Sequence, residues 1–182
     1  GRKKKIPVVV EVRDLWPESI VEYNGMSRKN PIIQVLYQLE KWIYKKSDAL
    51  IFTMAGGKEY ICDKNWNKAV NLDKVNYVNN GVDLKEFEED IKKYQTEDED
   101  LEDDSKFKVV YVGSIRKANN VQNLVEVAKE LKKRDENKIL ILIYGDGTDK
   151  QELESICQKE NLKNVKFKGK VEKKYIPYIL SL

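Results

Sequence analysis

The chain contains no histidine and only two cysteines. Without histidine, its 182 residues hold no Ser-His-Asp triad, Cys-His pair, histidine-ligated zinc or histidine general base. Catalysis by these residues therefore depends on carboxylates, lysine, arginine, tyrosine or backbone dipoles. Cys62 and Cys157 each lie in an apolar helical pattern. This pattern predicts two buried thiols rather than a disulfide framework, as is typical of a reducing compartment.

Proline and glycine are also sparse, with four and nine residues. The chain is therefore not a low-complexity sequence. No apolar run approaches the about 20 residues that a membrane-spanning helix needs. The basic residues at positions 1–5 lead straight into a strand-like run, so no signal peptide is expected there. Because 41 % of the residues are hydrophobic, the composition predicts folded domains with substantial cores. With neither a membrane helix nor a signal peptide predicted, we expect a cytoplasmic chain.

Charge is unevenly distributed, although the net charge is only +3. Residues 83–104 contain twelve acidic residues and three lysines, a local charge of −9, so the rest of the chain carries +12. Such a basic body attracts nucleic acid, nucleotide phosphates or an anionic membrane surface. A solvated lysine-rich surface is equally compatible with the pattern, so charge alone does not decide between these partners.

Strand-like and helix-like segments alternate along the chain. Apolar or β-branched runs of strand length lie at residues 6–12, 48–53, 74–78, 107–112, 139–144 and 165–167. Helical patterns lie at residues 30–46, where Asn30-Pro31 has the form of a cap, around residues 60–62, at 119–134 and 150–160, and from 174 onward. This alternation predicts two doubly wound α/β domains with parallel sheets. We expect a first domain at 1–82, an acidic linker or helix at 83–106 and a second domain at 107–182.

The first candidate site follows the first strand. Arg13, Asp14 and Glu18 lie there in one loop with Trp16, at the strand end where open α/β sheets place their ligands. Asp14 can orient or deprotonate a hydroxyl group, and Arg13 can pair with a phosphate. The structural alternative is that Asp14 caps a turn and Trp16 fills the edge of the domain.

A second candidate site lies between the strand at 107–112 and the following helix. Gly113 and Ser114 are small enough for the backbone to approach a ligand, and Arg116 and Lys117 are cationic. Together with the N–H groups of a helix N-terminus, they suit a diphosphate. An ordinary strand-to-helix turn with exposed basic residues is the alternative.

Two more loops follow the next two strands. They contain Gly145, Asp146 and Gly147, and Lys168, Gly169, Lys170 and Val171. Each loop by itself is compatible with a plain turn. Because the carboxyl ends of successive parallel strands meet at one edge of a sheet, we expect all three loops of the second half to face one crevice.

The order of these motifs resembles that of a known family. In the first half the motifs are DLWPES at 14–19, Leu39-Glu40 with Tyr44 and Ser47-Asp48-Ala49, and NNGVDL at 79–84 with Phe87. In the second half they are YVGSI at 111–115, IYGDG at 143–147 and NVKFKG at 164–169 with Ile176-Pro177. The ensemble resembles glycosyltransferase family 4, and within it the bacterial enzymes of capsule and O-antigen polysaccharide biosynthesis.

The resemblance implies a GT-B fold of two Rossmann-like parallel-sheet domains, both incomplete in this chain. It implies that the second domain holds a nucleotide-diphosphate sugar and that the first holds a saccharide or lipid-linked saccharide acceptor. Transfer would retain the anomeric configuration and would need no metal. No cofactor is implied, because the nucleotide sugar is a substrate, and no nucleic-acid partner is implied. The resemblance implies a cytoplasmic protein. If Lys41, Lys45 and Lys46 bind anionic lipid headgroups, the protein would lie at the inner face of the membrane.

The resemblance also assigns residue roles. It places Gly113, Ser114, Arg116 and Lys117 at the diphosphate, Gly145, Asp146 and Gly147 at the nucleoside, and Lys168, Gly169, Lys170 and Val171 around the base. It places Arg13, Asp14 and Glu18 on the acceptor side. Positive charge at the diphosphate fits the chemistry, because negative charge develops there as the glycosidic bond breaks.

The chain departs from the family pattern in several places. Ser114 stands where an arginine is common, Asn119 or Asn120 lies near the usual lysine position, and the histidine often found near Arg13 is absent. The family's pair of donor-binding glutamates is expected beyond Leu182. We therefore expect a central fragment that is inactive by itself. A nucleotide-sugar epimerase of the same fold and a non-catalytic nucleotide-binding module are the alternative functions.

Overall fold

The structure, a computed structural model, describes residues 6–182. Residues 1–5, for which the sequence predicts no signal peptide, lie outside the described residues. The chain divides into two compact units, Gly1–Gly81 and Val82–Leu182. In the described part of the chain, no helix is both long enough and apolar enough to cross a bilayer.

The first unit contains a three-stranded parallel sheet with the strand order β1-β2-β3. Its strands are β1 (Val9–Val12), β2 (Ala49–Phe52) and β3 (Val75–Tyr77). Its helices are α1 (Glu18–Asn24), α2 (Pro31–Lys46) and α3 (Gly57–Asp63). The bounds of α2 follow directly from its cap, because the Asn30 side chain accepts a hydrogen bond from the Ile32 N–H at 2.9 Å and Pro31 occupies the first helical position.

The second unit contains another three-stranded parallel sheet, with the order β4-β5-β6. Its strands are β4 (Phe107–Val112), β5 (Ile139–Tyr144) and β6 (Val165–Gly169). Its helices are α4 (Leu84–Lys93), α5 (Glu99–Glu102), α6 (Gln122–Lys133), α7 (Lys150–Lys159) and α8 (Ile176–Ser181). The two parallel sheets confirm the predicted α/β class.

The second sheet has a hydrophobic core on each face. Ile141 and Ile143 of β5 pack with α6 and α7 on one face. Leu142 of β5 packs on the other face with Leu101 of α5 and Ile179 of α8. Alternate residues of β5 are therefore buried on opposite sides, which explains why this strand is a continuous apolar run in the sequence.

The acidic segment, expected as a linker or helix, contains both α4 and α5 and is grouped with the second unit. Asp83 caps α4 by accepting a hydrogen bond from the Glu86 N–H at 3.1 Å. Leu101, the apolar residue of α5, is 1 % exposed. The segment is therefore tied to the second sheet through a buried side chain.

Three local predictions are corrected by the structure. The segment after β1, predicted as a loop, contains α1. Helix α6 begins at Gln122, later than predicted, because a short 3-10 turn occupies Lys117–Asn119. Cys157 is buried as predicted, but Cys62 is exposed, since its neighbour Ile61 takes the core-facing position of α3.

Candidate functional site

In the first unit, Arg13 and Asp14 lie where β1 ends. Both are exposed, and both line a small cavity of about 170 Å³ together with Trp16, Glu40 and Tyr44. Arg13 has a loose ion pair of 3.7 Å with Glu11, and both side chains are largely exposed. An exposed guanidinium and an exposed carboxylate are thus available side by side at this strand end.

Glu18 has a different environment from Arg13 and Asp14. Its carboxylate accepts hydrogen bonds from Tyr37 Oη and Lys64 Nζ, both at 2.5 Å, and pairs with Arg28 Nη2 at 2.6 Å. Burial raises the pKa of Glu18, but these three donors outweigh burial and lower it from 4.5 to about 2. Glu18 is therefore occupied by contacts that hold α1 to α2 and to Lys64 after α3.

Glu40 is the buried carboxyl group of the first unit, at 5 % exposure. It accepts hydrogen bonds from Tyr44 Oη at 2.7 Å and Tyr60 Oη at 3.0 Å. Burial raises its pKa to about 7, although the two hydroxyl donors act in the opposite direction. Within residues 6–182, no group of three His, Cys, Asp or Glu side chains is placed to hold a metal ion.

In the second unit, the carboxyl ends of all three strands surround one cavity. Its volume is about 430 Å³, within the usual range for small-molecule sites. The residues that line it are Val112, Gly113 and Ser114 after β4, Tyr144, Gly145 and Asp146 after β5, and Lys170, Val171 and Ile176 after β6. The sheet therefore brings together residues that are far apart in the sequence.

Backbone hydrogen bonds connect the three strand ends at this cavity. The Gly113 N–H donates to the Tyr144 carbonyl oxygen at 3.0 Å, and the Gly145 N–H donates to the Gly169 carbonyl oxygen at 2.7 Å. The Ile115 N–H donates to the Asp146 carbonyl oxygen at 2.9 Å. The loops are therefore fixed to one another by the main chain.

Glycine is required at two positions of the loop after β5. A Cβ atom at Gly145 would lie 1.8 Å from the carbonyl oxygen of Gly113, and one at Gly147 would lie 2.1 Å from the carbonyl oxygen of Ile115. Gly145 also has a φ of +148°. Any side chain at either position would push the loop after β5 away from the loop after β4.

Three cations lie at or near the cavity. Lys170 is exposed and belongs to the lining. Arg116 and Lys117 are exposed at the 3-10 turn that follows the Gly113-Ser114 pair. None of the three forms an ion pair within the described part of the chain. Their charges are therefore available to an anionic ligand.

A family model matches most of the unit that holds this cavity. The family model described as glycosyl transferases group 1 matches residues 92–182, half of the chain. The chain belongs to this family. The match includes all three strands of the second sheet and every residue that lines the cavity.

Solved structures of low sequence identity share the fold. Anabaena HepE in complex with UDP aligns with a TM-score of 0.64 at 13 % identity, over 99 % of this chain and 46 % of HepE. HepE with UDP and glucose aligns with a TM-score of 0.63 at 16 % identity, over 99 % of this chain and 45 % of HepE. TarM aligns with a TM-score of 0.59 at 14 % identity, over 93 % of this chain and 29 % of TarM. A variant of S. aureus TarM has been solved with UDP among its ligands.

These alignments confirm that the chain has part of a GT-B fold. The chain spans a little under half the length of HepE. A search of curated proteins found no matching sequence.

The cavity contains six of the residues that sequence reasoning assigned to the donor. They are Gly113, Ser114, Gly145, Asp146, Lys170 and Val171. The others lie nearby but outside the lining, namely Arg116, Lys117, Gly147, Lys168 and Gly169. On the proposed acceptor side, Arg13 and Asp14 lie together at one cavity, whereas Glu18 does not line it.

Sequence reasoning missed three lining residues of the donor cavity, Val112, Tyr144 and Ile176, as site residues. Each had a sequence signal. Val112 and Tyr144 end predicted strands, and Ile176 belongs to the Ile-Pro pair of the family motif. Because these side chains are largely apolar, their residue types do not distinguish a position in the cavity lining from one in the core.

Proposed function

We propose that this chain is part of a retaining glycosyltransferase that transfers a sugar from a UDP-sugar to a saccharide or lipid-linked saccharide acceptor. The observation that carries the proposal is the cavity of about 430 Å³ at the ends of β4, β5 and β6, inside the family match. HepE and TarM, which share the fold, have been solved with UDP.

The second unit would bind the donor. Gly113 and Ser114 allow the main chain to approach the diphosphate, and Arg116, Lys117 and Lys170 supply positive charge. Gly145, Asp146 and Gly147 would lie at the nucleoside, and the main chain of residues 168–171 would frame the base. These cations would stabilise the departing UDP, on which negative charge develops as the glycosidic bond breaks.

The first unit would bind the acceptor. Arg13 and Asp14 are exposed at the end of β1, where a guanidinium and a carboxylate can hydrogen-bond to acceptor hydroxyl or phosphate groups. Glu18 would position this loop rather than touch the acceptor, because Arg28, Tyr37 and Lys64 already occupy its carboxylate. The motif resemblance supports a metal-independent reaction in capsule or O-antigen synthesis.

The proposal includes an anionic membrane surface at the cytoplasmic face. Lys45 and Lys46 are exposed at the end of α2, beside the partly exposed Lys41. Such a cluster attracts anionic lipid headgroups. The chain is expected to sediment with anionic vesicles at low salt but not with neutral vesicles. Absence of sedimentation with both vesicle types would contradict this part of the proposal.

Calorimetric titration of the chain with UDP tests the donor site. The unaltered chain is expected to bind UDP, and the double variant Arg116→Ala with Lys117→Ala is expected to bind about tenfold more weakly, which is about 1.4 kcal/mol. The matched control, Lys45→Ala with Lys46→Ala, removes the same charge from the first unit and is expected to leave UDP affinity unchanged. Absence of UDP binding would contradict the donor proposal, and unchanged affinity in the Arg116 and Lys117 variant would contradict only the loop assignment.

A further inference from the structure

Two aspartates of the acidic segment enclose one lysine of β6. Lys168 Nζ lies 2.6 Å from Asp98 Oδ1 and 2.6 Å from Asp100 Oδ2. The three side chains are only 13–20 % exposed. Burial alone lowers the pKa of Lys168, but the hydrogen bonds to Asp100 and Asp98 outweigh burial and raise it. Lys168 is therefore held as a cation by the acidic segment.

Asp98 makes a second contact, with the last residue of β5. The Tyr144 hydroxyl donates to Asp98 Oδ2 at 2.7 Å, and Tyr144 is 2 % exposed. Asp98 is itself fixed, because it caps α5 by accepting a hydrogen bond from the Asp100 N–H at 3.1 Å. One carboxylate thus connects the end of β5, the end of β6 and the start of α5.

These contacts lie at the strand ends that form the cavity of the second unit. Tyr144 belongs to its lining, and Lys168 is two residues before the lining residue Lys170. The same two strand ends share the Gly145 N–H to Gly169 carbonyl hydrogen bond of 2.7 Å. A shift of the Lys168 or Tyr144 side chain would therefore move the main chain that borders the cavity.

Asp98 and Asp100 differ from the other acidic residues of this segment. Asp100 also pairs with Lys166 of β6 at 2.5 Å. Among the other acidic residues at positions 83–104, the only ion pair within residues 6–182 is that of Glu89 with Lys85, which lies inside the segment and is exposed. Asp98 and Asp100 instead reach Lys168 of β6, which is 70 and 68 residues away, respectively. Charge-assisted contacts with little solvent exposure fix geometry more tightly than exposed pairs do.

We propose that Asp98 and Asp100 are positioning residues for the nucleotide cavity. Through Lys168 and Tyr144 they hold the ends of β6 and β5 in the arrangement that receives the UDP moiety. The inference rests on the proposed function for the identity of the ligand, UDP. The arrangement of the cavity walls that it describes can be tested in the ligand-free protein.

The test compares Asp98→Asn with the unaltered chain by calorimetry and amide NMR. The asparagine keeps the size of the side chain but removes one of the two negative charges that hold Lys168, together with the charged acceptor of the Tyr144 hydroxyl. We expect UDP affinity to fall about tenfold, which is about 1.4 kcal/mol. In the ligand-free protein, we expect the amide signals of Gly145, Gly169 and Lys170 to shift. If Asp98→Asn does not fold, Tyr144→Phe replaces it, because this variant keeps the buried ring and both aspartates.

Two controls separate positioning from general stability. Glu130→Gln removes a surface ion pair on α6, between Glu130 and Lys133. Its N–O distance of 2.6 Å equals that of the Lys168–Asp98 pair. Val125→Ala creates a small cavity in the core at a fully buried residue of α6 and lowers stability away from the strand ends. Both controls are expected to keep UDP affinity and the three amide signals unchanged while folded.

The outcomes distinguish the inference from the proposed function. Unchanged cavity amide signals in folded Asp98→Asn would overturn the inference whether or not UDP binds. If the unaltered chain binds UDP and Asp98→Asn binds it equally well, the inference is also overturned. If the unaltered chain does not bind UDP but the amide signals shift as expected, the proposed ligand is wrong and the positioning role stands.

Discussion

Gly145 approaches Gly113 so closely that a Cβ atom on Gly145 would lie 1.8 Å from the Gly113 carbonyl oxygen. This approach joins the loop after β5 to the loop after β4 and forms one wall of the cavity. Main-chain atoms on both sides of the contact leave no flexible side chain to move aside. The close packing of these two loops therefore depends on glycine.

Gly145→Ala is expected to lower the free energy of unfolding of the second unit by more than about 2 kcal/mol, because the loops must separate. Gly81→Ala is the matched control, since no atom lies within 4 Å of its added Cβ, and a change within about 0.5 kcal/mol is expected. Denaturation followed by circular dichroism measures both. Equal stabilities for the two variants would contradict the close approach.

Unfolding of the first unit can be measured separately from that of the second unit. All three tryptophans, Trp16, Trp42 and Trp66, lie in Gly1–Gly81. Tryptophan fluorescence therefore reports the unfolding of the first unit, and Gly145→Ala is expected to leave the fluorescence transition unchanged.

Lys64→Met is expected to destabilise the first unit by about 1–3 kcal/mol. The variant removes the ion pair of 2.5 Å with Glu18 and the cation–π contact in which Lys64 Nζ lies 3.8 Å from the centre of the Tyr37 ring. Lys68→Met is the matched control, because Lys68 is exposed and has no ion pair in the described part of the chain. Urea denaturation followed by tryptophan fluorescence would contradict the prediction if both variants had the same midpoint.

The buried carboxyl of Glu40 is expected to make the first unit less stable as pH rises. Its pKa in the folded protein is about 7, above its ordinary value of 4.5. The folded state therefore binds this proton more tightly than the unfolded state does. The resulting stability is fully present below the ordinary pKa and is lost as pH rises through the folded pKa.

Glu40→Gln isolates this effect because glutamine does not ionise. From about pH 5 to about pH 8, the free energy of unfolding of the unaltered chain is expected to fall relative to that of Glu40→Gln. The measurement is urea denaturation followed by tryptophan fluorescence at each pH. Parallel pH profiles for the two proteins would show that Glu40 does not titrate in this range.

The two cysteines are expected to differ in reactivity. Cys62 is exposed, whereas Cys157 is buried and burial raises the pKa of its thiol. A colorimetric thiol reagent is expected to modify one thiol rapidly in the native protein and the second only on unfolding. Cys62→Ser is expected to abolish the rapid phase, and its persistence in that variant would contradict the structure of α3.

Most of the fold follows from local sequence patterns. Helix α2 has the predicted bounds because Asn30 and Pro31 define its start, and β5 is recognisable because a strand covered on both faces is continuously apolar. Helix α1 was not predictable in this way. Its first residue, Glu18, is fixed by Lys64, which is 46 residues away in the sequence.

The candidate site was predictable only in part, because some of its contacts join residues that are far apart in the sequence. Gly113, Gly145 and Lys170 were grouped correctly because parallel strands end at one edge of a sheet. The sequence does not distinguish Lys168 from Lys170, yet the Lys168 side chain binds Asp98 and Asp100 while Lys170 lines the cavity. It also does not single out these two aspartates among their acidic neighbours, because their partners lie in a distant strand.

The most direct test of the donor proposal is amide NMR of the ¹⁵N-labelled chain titrated with UDP. We expect saturable shifts concentrated at Gly113, Ser114, Gly145, Asp146 and Lys170, with the signals of α2 and α3 in the first unit unchanged. An absence of shifts, or shifts spread over exposed lysines in both units, would contradict the proposal that the cavity at the ends of β4, β5 and β6 binds the nucleotide.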